Sequence, residues 1–231
     1  MTQILCIDTA TEICSVALSI NGVCKDTIES VDERAHARVL TVQIKDLLER
    51  NDLTTKELDA IAVSEGPGSY TGMRIGVSVA KGICYAAQKP LIAIPTLQII
   101  ALGLMNKVKG PSNKAAILAM LDARRMEVYY AHYNSDLEEI QTATPLIIEP
   151  DVFNKFKVFP EVYFAGSGAS KCQDVIDMPN AKFFPEVRDK AADMVSLAQS
   201  RYEQKTFVDL AYFEPAYLKP FLATKPKKGL F

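Results

Sequence analysis

The stretch SEGPGSYTGMRIGVSVAKG, residues 64–82, decides how this chain is read. It closes the buried-strand pattern DAIAVS and sets Gly66, Pro67 and Gly68 ahead of a helical run at residues 71–87. Strand, glycine turn and helix together frame a phosphate loop, so the named phosphate motifs are the first test. The glycines at 66, 68, 72 and 76 do not give G-x-G-x-x-G, and Lys81 precedes Gly82 where a P-loop needs Ser or Thr. A weaker anion site survives at the helix start, where backbone N–H groups point outward. Thr71 or Ser69 as N-cap would satisfy the same donors internally. More informative is the spacing of Gly72, Gly76 and Ala80 at i, i+4 and i+8, which leaves one helix face nearly bare. A glycine lowers helix propensity by about 1 kcal/mol against alanine, so the stripe implies close packing against a helix. That helix is the one read at residues 35–50 or one from another chain.

Outward from this stretch the chain alternates strands and helices. Ile4 to Asp8 reads as a buried strand, residues 14–20 as a second, and Asn21-Gly22 as a hairpin turn into a third at 23–29. Leu40, Ile44, Leu47 and Leu48, widened by Val39 and Val42, give the amphipathic helix at 35–50. Thr54 and Glu57 have capping-box spacing for a short helical turn. PLIAIP reads as a strand and residues 97–105 as a helix, followed by the polar break NKVKGPSNK. Beyond it the three-strand theme returns in AAILAML, EVYYAHY and residues 139–142. Then come a helix near 151–156, the strand VYFAG, a helix after Gly168, a short strand KFF and a long helix at 190–204. The expected organisation is an α/β fold of two subdomains, 1–108 and 109–206, with 207–231 packing back on the first and ending in a mobile basic tail.

Composition narrows the function classes. The 231 residues carry a formal net charge of −2, which supplies no electrostatic footprint for binding nucleic acid unaided. The first residues, MTQILCIDTA, lack a basic n-region, and no stretch reaches membrane-spanning length, so a cytoplasmic protein is expected. Cys6, Cys14, Cys24, Cys84 and Cys172 form no C-x-x-C pair and read as small core hydrophobes in a reducing compartment.

Chemistry-bearing residues are sparse. Asp8, Thr9 and Thr11 follow the first strand where ATP-binding folds place an acid and small residues around phosphate and magnesium; an Asp capping a hairpin turn is the alternative. Gly166 and Gly168 either approach an adenosine or form a tight turn. His36 and His132 stand apart with no zinc spacing, and no G-x-S-x-G elbow exists. Asp122, Arg124, Arg125 and Glu127 lie at a hairpin and read as solvated ion pairs or a polar partner contact. Lys225, Lys227 and Lys228 mark the basic tail.

ILCIDTATEICSVAL, the opening stretch, LDARRMEVYYA and EPAYLKP occur in order and together resemble the TsaB family. Members of that family partner TsaD, the enzyme that installs threonylcarbamoyl on the adenosine beside the tRNA anticodon. The resemblance implies a duplicated actin-like fold of the acetate kinase, sugar kinase, Hsp70 and actin class, in keeping with the repeated strand pattern. TsaD shares the TG-x-R-x-G helix but carries two metal-binding histidines after the next strand, where Thr96 and Ile100 stand here. The resemblance therefore implies a non-catalytic subunit without metal or cofactor that activates TsaD, assembles further with the ATPase TsaE and reaches tRNA only indirectly. It also implies pairing through a helix bundle, here Val39, Leu40 and Gln43 with Gly72, Met73, Gly76, Val79, Ala80 and Ile83, and homodimers through the same face when TsaD is absent. A nucleotide-binding ATPase or phosphotransferase using Asp8, Thr9, Thr11, Gly166 and Gly168 is the alternative.

Overall fold

Asn21 and Gly22 both take positive φ, 50° and 76°, and turn β2 (Ile13–Ile20) into β3 (Val23–Val31), as the Asn-Gly pair predicts. In the computed structural model, which describes residues 1–31, 36–108 and 111–219, β1 (Gln3–Asp8) pairs antiparallel with β2. On its other edge β1 pairs parallel with β4 (Ala60–Gly66), which pairs parallel with β5 (Leu91–Pro95). The sheet order is β3-β2-β1-β4-β5.

Successive strand residues face opposite ways, and both faces of this sheet are buried, which explains its unbroken apolar runs. On one face Leu5, Ile7, Val16, Leu18, Ile61 and Val63 meet α1 (His36–Arg50) and α2 (Tyr70–Ala87) through Leu40, Ile44, Leu47, Val77 and Ala80. On the other, Ile4, Cys6, Ala17, Ala62, Ile92 and Ile94 meet Ile99 of α3 (Thr96–Val108) and Met194, Val195 and Ala198.

The second sheet repeats the first. β6 (Ala115–Asp122) pairs antiparallel with β7 (Glu127–Tyr133), which pairs antiparallel with β8 (Glu139–Ile147). On its other edge β6 pairs parallel with β9 (Glu161–Ala165), which pairs parallel with β10 (Ala181–Phe184), giving β10-β9-β6-β7-β8. Strand for strand this is the order and sense of the first sheet, so the chain is a duplicated α/β fold. The helices of the second copy are reduced. A 3-10 turn, Asn154–Val158, replaces the expected helix near 151–156 and covers the sheet with Phe153 and Phe156, while α4 (Ala169–Gln173) is short. α3 is apolar on several sides because it lies between the two sheets: Leu97, Ile100, Ala101 and Leu104 pack on the second and Ile99 on the first.

The helix read at 190–204 inside the second subdomain is a 3-10 turn, Ala191–Met194, leading into α5 (Val195–Glu203), and its apolar side lies on the first sheet. The chain thus crosses back to the first unit after β10. The segment beyond 206 follows it: Val208 N–H donates to Leu91 O at 3.0 Å, Ala216 N–H to Glu65 O at 2.7 Å, and Lys81 reaches Ala211 O and Phe213 O. The tail lysines 225, 227 and 228 lie outside the described residues. Thr54 and Glu57 make the capping-box bond, Thr54 N–H to Glu57 Oε2 at 2.7 Å, but close a turn rather than a helix. Cys24, expected in the core, is exposed on β3, the edge strand.

Met194 is fully buried against the first sheet. Met194→Ala should lower stability by roughly 2–5 kcal/mol in urea denaturation, with hydrogen-exchange protection lost first in β1, β4 and β5. Loss confined to β6–β10 would place the helix with the wrong unit.

Candidate functional site

The glycine stripe faces inward. Gly72, Gly76 and Ala80 are buried, and so are Met73, Leu40 and Gln43 among the expected partner contacts. A Cβ on Gly72 would run into the carbonyl oxygen of Thr9, and one on Gly76 into Thr9 Oγ1. The neighbour that needs the bare face is therefore the turn leaving β1 and not a helix. Thr9 Oγ1 donates to Gly72 O at 2.8 Å, Ser69 N–H donates to Ala10 O at 2.6 Å, and Gly72 N–H donates to Ser69 Oγ at 3.3 Å as the helix N-cap. Of the N–H groups at the helix start, those of Ser69 and Gly72 are thus spent within the chain.

Beneath this contact lies an acid pair. Asp8 is fully buried, and its Oδ1 accepts from Ala10 N–H at 3.0 Å and Ser64 Oγ at 2.7 Å, while Oδ2 meets no N–H or O–H donor. The equally buried Asp189, absent from the sequence-derived candidates, lies close enough for the two charges to act on each other and accepts from Thr11 Oγ1 at 3.0 Å on both oxygens. Two carboxylates buried side by side repel when both are ionised, which disfavours the doubly charged state. Burial pushes both carboxyls up, Asp189 most, with the charge of Asp8 as its second cause. Nothing in the local sequence EVRDK marks Asp189; only the return of the chain after β10 brings it beneath β1. Thr11 thus turns to Asp189, Asp8 to Ala10 and Ser64, and Thr9 to Gly72 on α2.

Gly166 and Gly168 pack on β6. A Cβ on Gly166, at φ +101°, would strike Met120 O, and their N–H groups donate to Phe184 O and Met120 O at 3.2 and 3.3 Å. They make a tight turn, with no free donors for adenosine phosphate. Thr96 and Ile100 sit one helical turn apart on α3 and are fully buried; Ile100 Cγ2 comes within 3.2 Å of where a Gly166 Cβ would stand. His36 is buried near Gly72 on the first unit, and His132 lies on β7 of the second. No cluster of three or more His, Cys, Asp or Glu side chains suited to a metal occurs among the described residues. Burial pushes the thiols of Cys14, Cys84 and Cys172 up to about 12, which leaves them unreactive. At the β6–β7 hairpin Asp122 pairs with Lys171 at 2.6 Å and Glu127 with Lys219, so the acids pair with distant lysines rather than with Arg124 or Arg125.

What stays open is the outer side of the same two helices. Between α1 and α2 lies a groove of about 410 Å³ lined by Thr41, Ile44, Leu48, Leu53, Val79 and Ile83, with Lys45 and Glu49 on its rim. Val79 and Ile83, two of the expected contacts, are half-buried here, and Val39 is half-buried on α1; Val42 (63% exposed) continues the outer side of α1, whereas Tyr85 (82% exposed) stands on another side of α2, one turn on from Lys81. Val42 had a sequence signal, since it widens the α1 stripe, whereas Tyr85 had none.

The two sheets of matching order, joined through α3 and closed over an acid at the end of β1, define the actin-like class of α/β proteins. The structure aligns with an inorganic polyphosphate/ATP-glucomannokinase from Arthrobacter sp. at TM-score 0.51 and 8% identity, over 87% of this chain and all of that one, a likeness of fold alone. It aligns far better with YeaZ from Pseudomonas aeruginosa: TM-score 0.83, 29% identity, 94% of this chain and all of that one. Residues 27–212 match the family TsaD, tRNA N6-adenosine threonylcarbamoyltransferase. The tRNA threonylcarbamoyladenosine biosynthesis protein TsaB of Escherichia coli is 30% identical over 98% of this chain and 99% of its own length. The chain belongs to the TsaB family.

Two predictions follow from the closed cleft. Gly82, on the same helix as Gly76, has open space where a Cβ would go, so Gly82→Ala should raise stability by about 1 kcal/mol. Gly76→Ala should lower it by roughly 1–3 kcal/mol; equal signs in chemical denaturation would remove the Thr9 contact. For the acid pair, the folded pKa values lie above those of the unfolded chain. The pair therefore stabilises the fold below the ordinary carboxylate range near pH 4, and that contribution is lost as pH rises through the folded values. The urea midpoint of Asp189→Asn should depend less on pH between 4 and 8 than that of the parent; an unchanged slope would dismiss the raised carboxyl of Asp189.

Proposed function

We propose that this chain serves the synthesis of threonylcarbamoyladenosine in tRNA as a non-catalytic subunit, docking on a TsaD partner through the outer face of α1 and α2. The observation that carries this reading is the apolar groove between the two helices, flanked on α1 by exposed Val42. A helix pair with a groove between its members accepts helices of a second such pair, and apolar surface left in water on one face marks an interaction site. α2 is held from beneath by Thr9 and α1 by Leu40, Ile44 and Leu47 on the sheet, so the face is preformed.

Support for a non-catalytic role comes from the cleft. The N–H groups of Ser69 and Gly72 at its edge are consumed internally, and Gly166 and Gly168 are packed on β6. Thr96 and Ile100, buried on α3, offer no imidazole. Support for TsaD as the partner comes from the family match itself, because a paralogue with the same helix pair completes the bundle with near two-fold symmetry. The same face makes the homodimer when TsaD is absent. TsaE joins the larger assembly, and tRNA is reached through the partner, in keeping with a net charge of −2.

Val79 and Ile83 line the groove and are only half-buried at the edge of the core, so a charge there can still reach solvent in the free chain. The variant Val79→Glu/Ile83→Glu should keep its melting temperature within a few degrees and lose TsaD copurification at least tenfold. Threonylcarbamoylation of tRNA by TsaD, TsaE and the carbamoyl-adenylate synthase should fall in parallel. Retained binding and activity would sink the docking face.

A further inference from the structure

On the far side of the second sheet, β7, β8 and the Asn154–Val158 turn enclose a cavity of about 300 Å³ lined by His132, Ile140, Gln141, Lys155, Phe156 and Phe159. This unit is remote in sequence from the α1–α2 face and plays no part in the proposed docking. At this volume the cavity sits at the lower end of small-molecule sites, where a planar apolar lining with a few polar groups fixes a ligand.

Its wall is aromatic. The His132 ring stands edge-on to Phe156 at 5.0 Å and 84° and to Phe159 at 5.7 Å and 81°. His132 is only 7% exposed, yet its Nε2 meets no hydrogen-bond partner, a condition that costs stability unless something else uses the atom. Burial, and then the nearby Lys155 charge, hold the imidazole below its ordinary pKa. At neutral pH the ring is therefore uncharged and presents one donor and one acceptor.

The rim carries one full charge. Lys155 Nζ lies 3.1 Å from Gln141 Oε1, 3.5 Å from Tyr130 Oη and 5.1 Å from the centre of the Phe156 ring. No carboxylate pairs with Lys155 among the described residues, in contrast to Lys171, Lys182, Lys190 and Lys219. The Gln141 amide is oriented by its own bonds, Nε2 donating to Tyr130 Oη at 2.5 Å and to Thr144 Oγ1 at 3.2 Å, so its oxygen is turned toward the ammonium. The result is a fixed cation above a wall of three rings, one of them a buried imidazole short of a partner.

We propose that this cavity is a binding site for a small planar carboxylate, with the ring of the ligand against Phe156, Phe159 and His132 and its carboxylate on Lys155. A ring stacks or meets such a wall edge-on, and the lysine, already anchored on Gln141 and Tyr130, gives the acid a charge-assisted bond. A neutral amide of the same shape keeps the ring contacts and loses the ion pair.

The test uses the full chain with phenylacetate as the probe and phenylacetamide as its neutral counterpart, read by isothermal titration and by the His132 ring resonances in NMR. Phenylacetate should bind and shift the His132 signals, and phenylacetamide should bind at least tenfold more weakly. Lys155→Gln, at an exposed position, should weaken phenylacetate at least tenfold while leaving phenylacetamide unchanged. Binding without a shift at His132, equal affinity for acid and amide, indifference to Lys155→Gln, or no binding would each overturn the assignment.

Discussion

Thr9 lies against the bare face of α2, and the surrounding structure depends on that approach. With Gly72 and Gly76 beneath it, the turn after β1 closes to hydrogen-bonding distance of the helix backbone. Two glycines in a helix lose roughly 2 kcal/mol of propensity against alanine. A side chain at either position would collide with Thr9, so alanine's intrinsic advantage is unavailable there. The contact sets the angle of α2 on the sheet, and through α2 the face that the α1–α2 pair turns to solvent.

The same closure governs the cleft. Once Thr9 bonds Gly72 and Ser69 bonds Ala10, the turn after β1 covers the start of α2, and the N–H groups of Ser69 and Gly72 are taken up within the chain. The acid at the end of β1 is then sealed in beside Asp189, and burial pushes both carboxyls up. An actin-like frame thus persists with the acid of its cleft turned inward, while an apolar groove stays open on the outer side of α1 and α2.

Duplication explains the architecture and also its asymmetry. Both sheets have the same order and sense, but only the first carries two long helices on one face. The second replaces them with a 3-10 turn and the aromatic cluster Phe153, Phe156 and Phe159, which leaves a cavity where a helix would otherwise fill the space. α3 and α5 bind the units together because each puts apolar residues on the first sheet, and α3 also serves the second.

The strands, the Asn-Gly hairpin, the amphipathic α1 and the doubling of the pattern were legible from the residues alone, because period and turn chemistry are local properties. The unusual face of α2 was legible too, as the spacing of Gly72, Gly76 and Ala80. Its direction was not, since a bare stripe suits a helix, a second chain or a turn equally well; only the register of β1 beside β4 brings Thr9 to it. Asp189 carries no motif and becomes Asp8's partner through a chain path that recrosses the molecule after β10, and α5 changes units for the same reason. Local sequence determined which elements form and where they begin; the pairing of distant segments, a sum of burial over the whole chain, decided which faces close and which remain open.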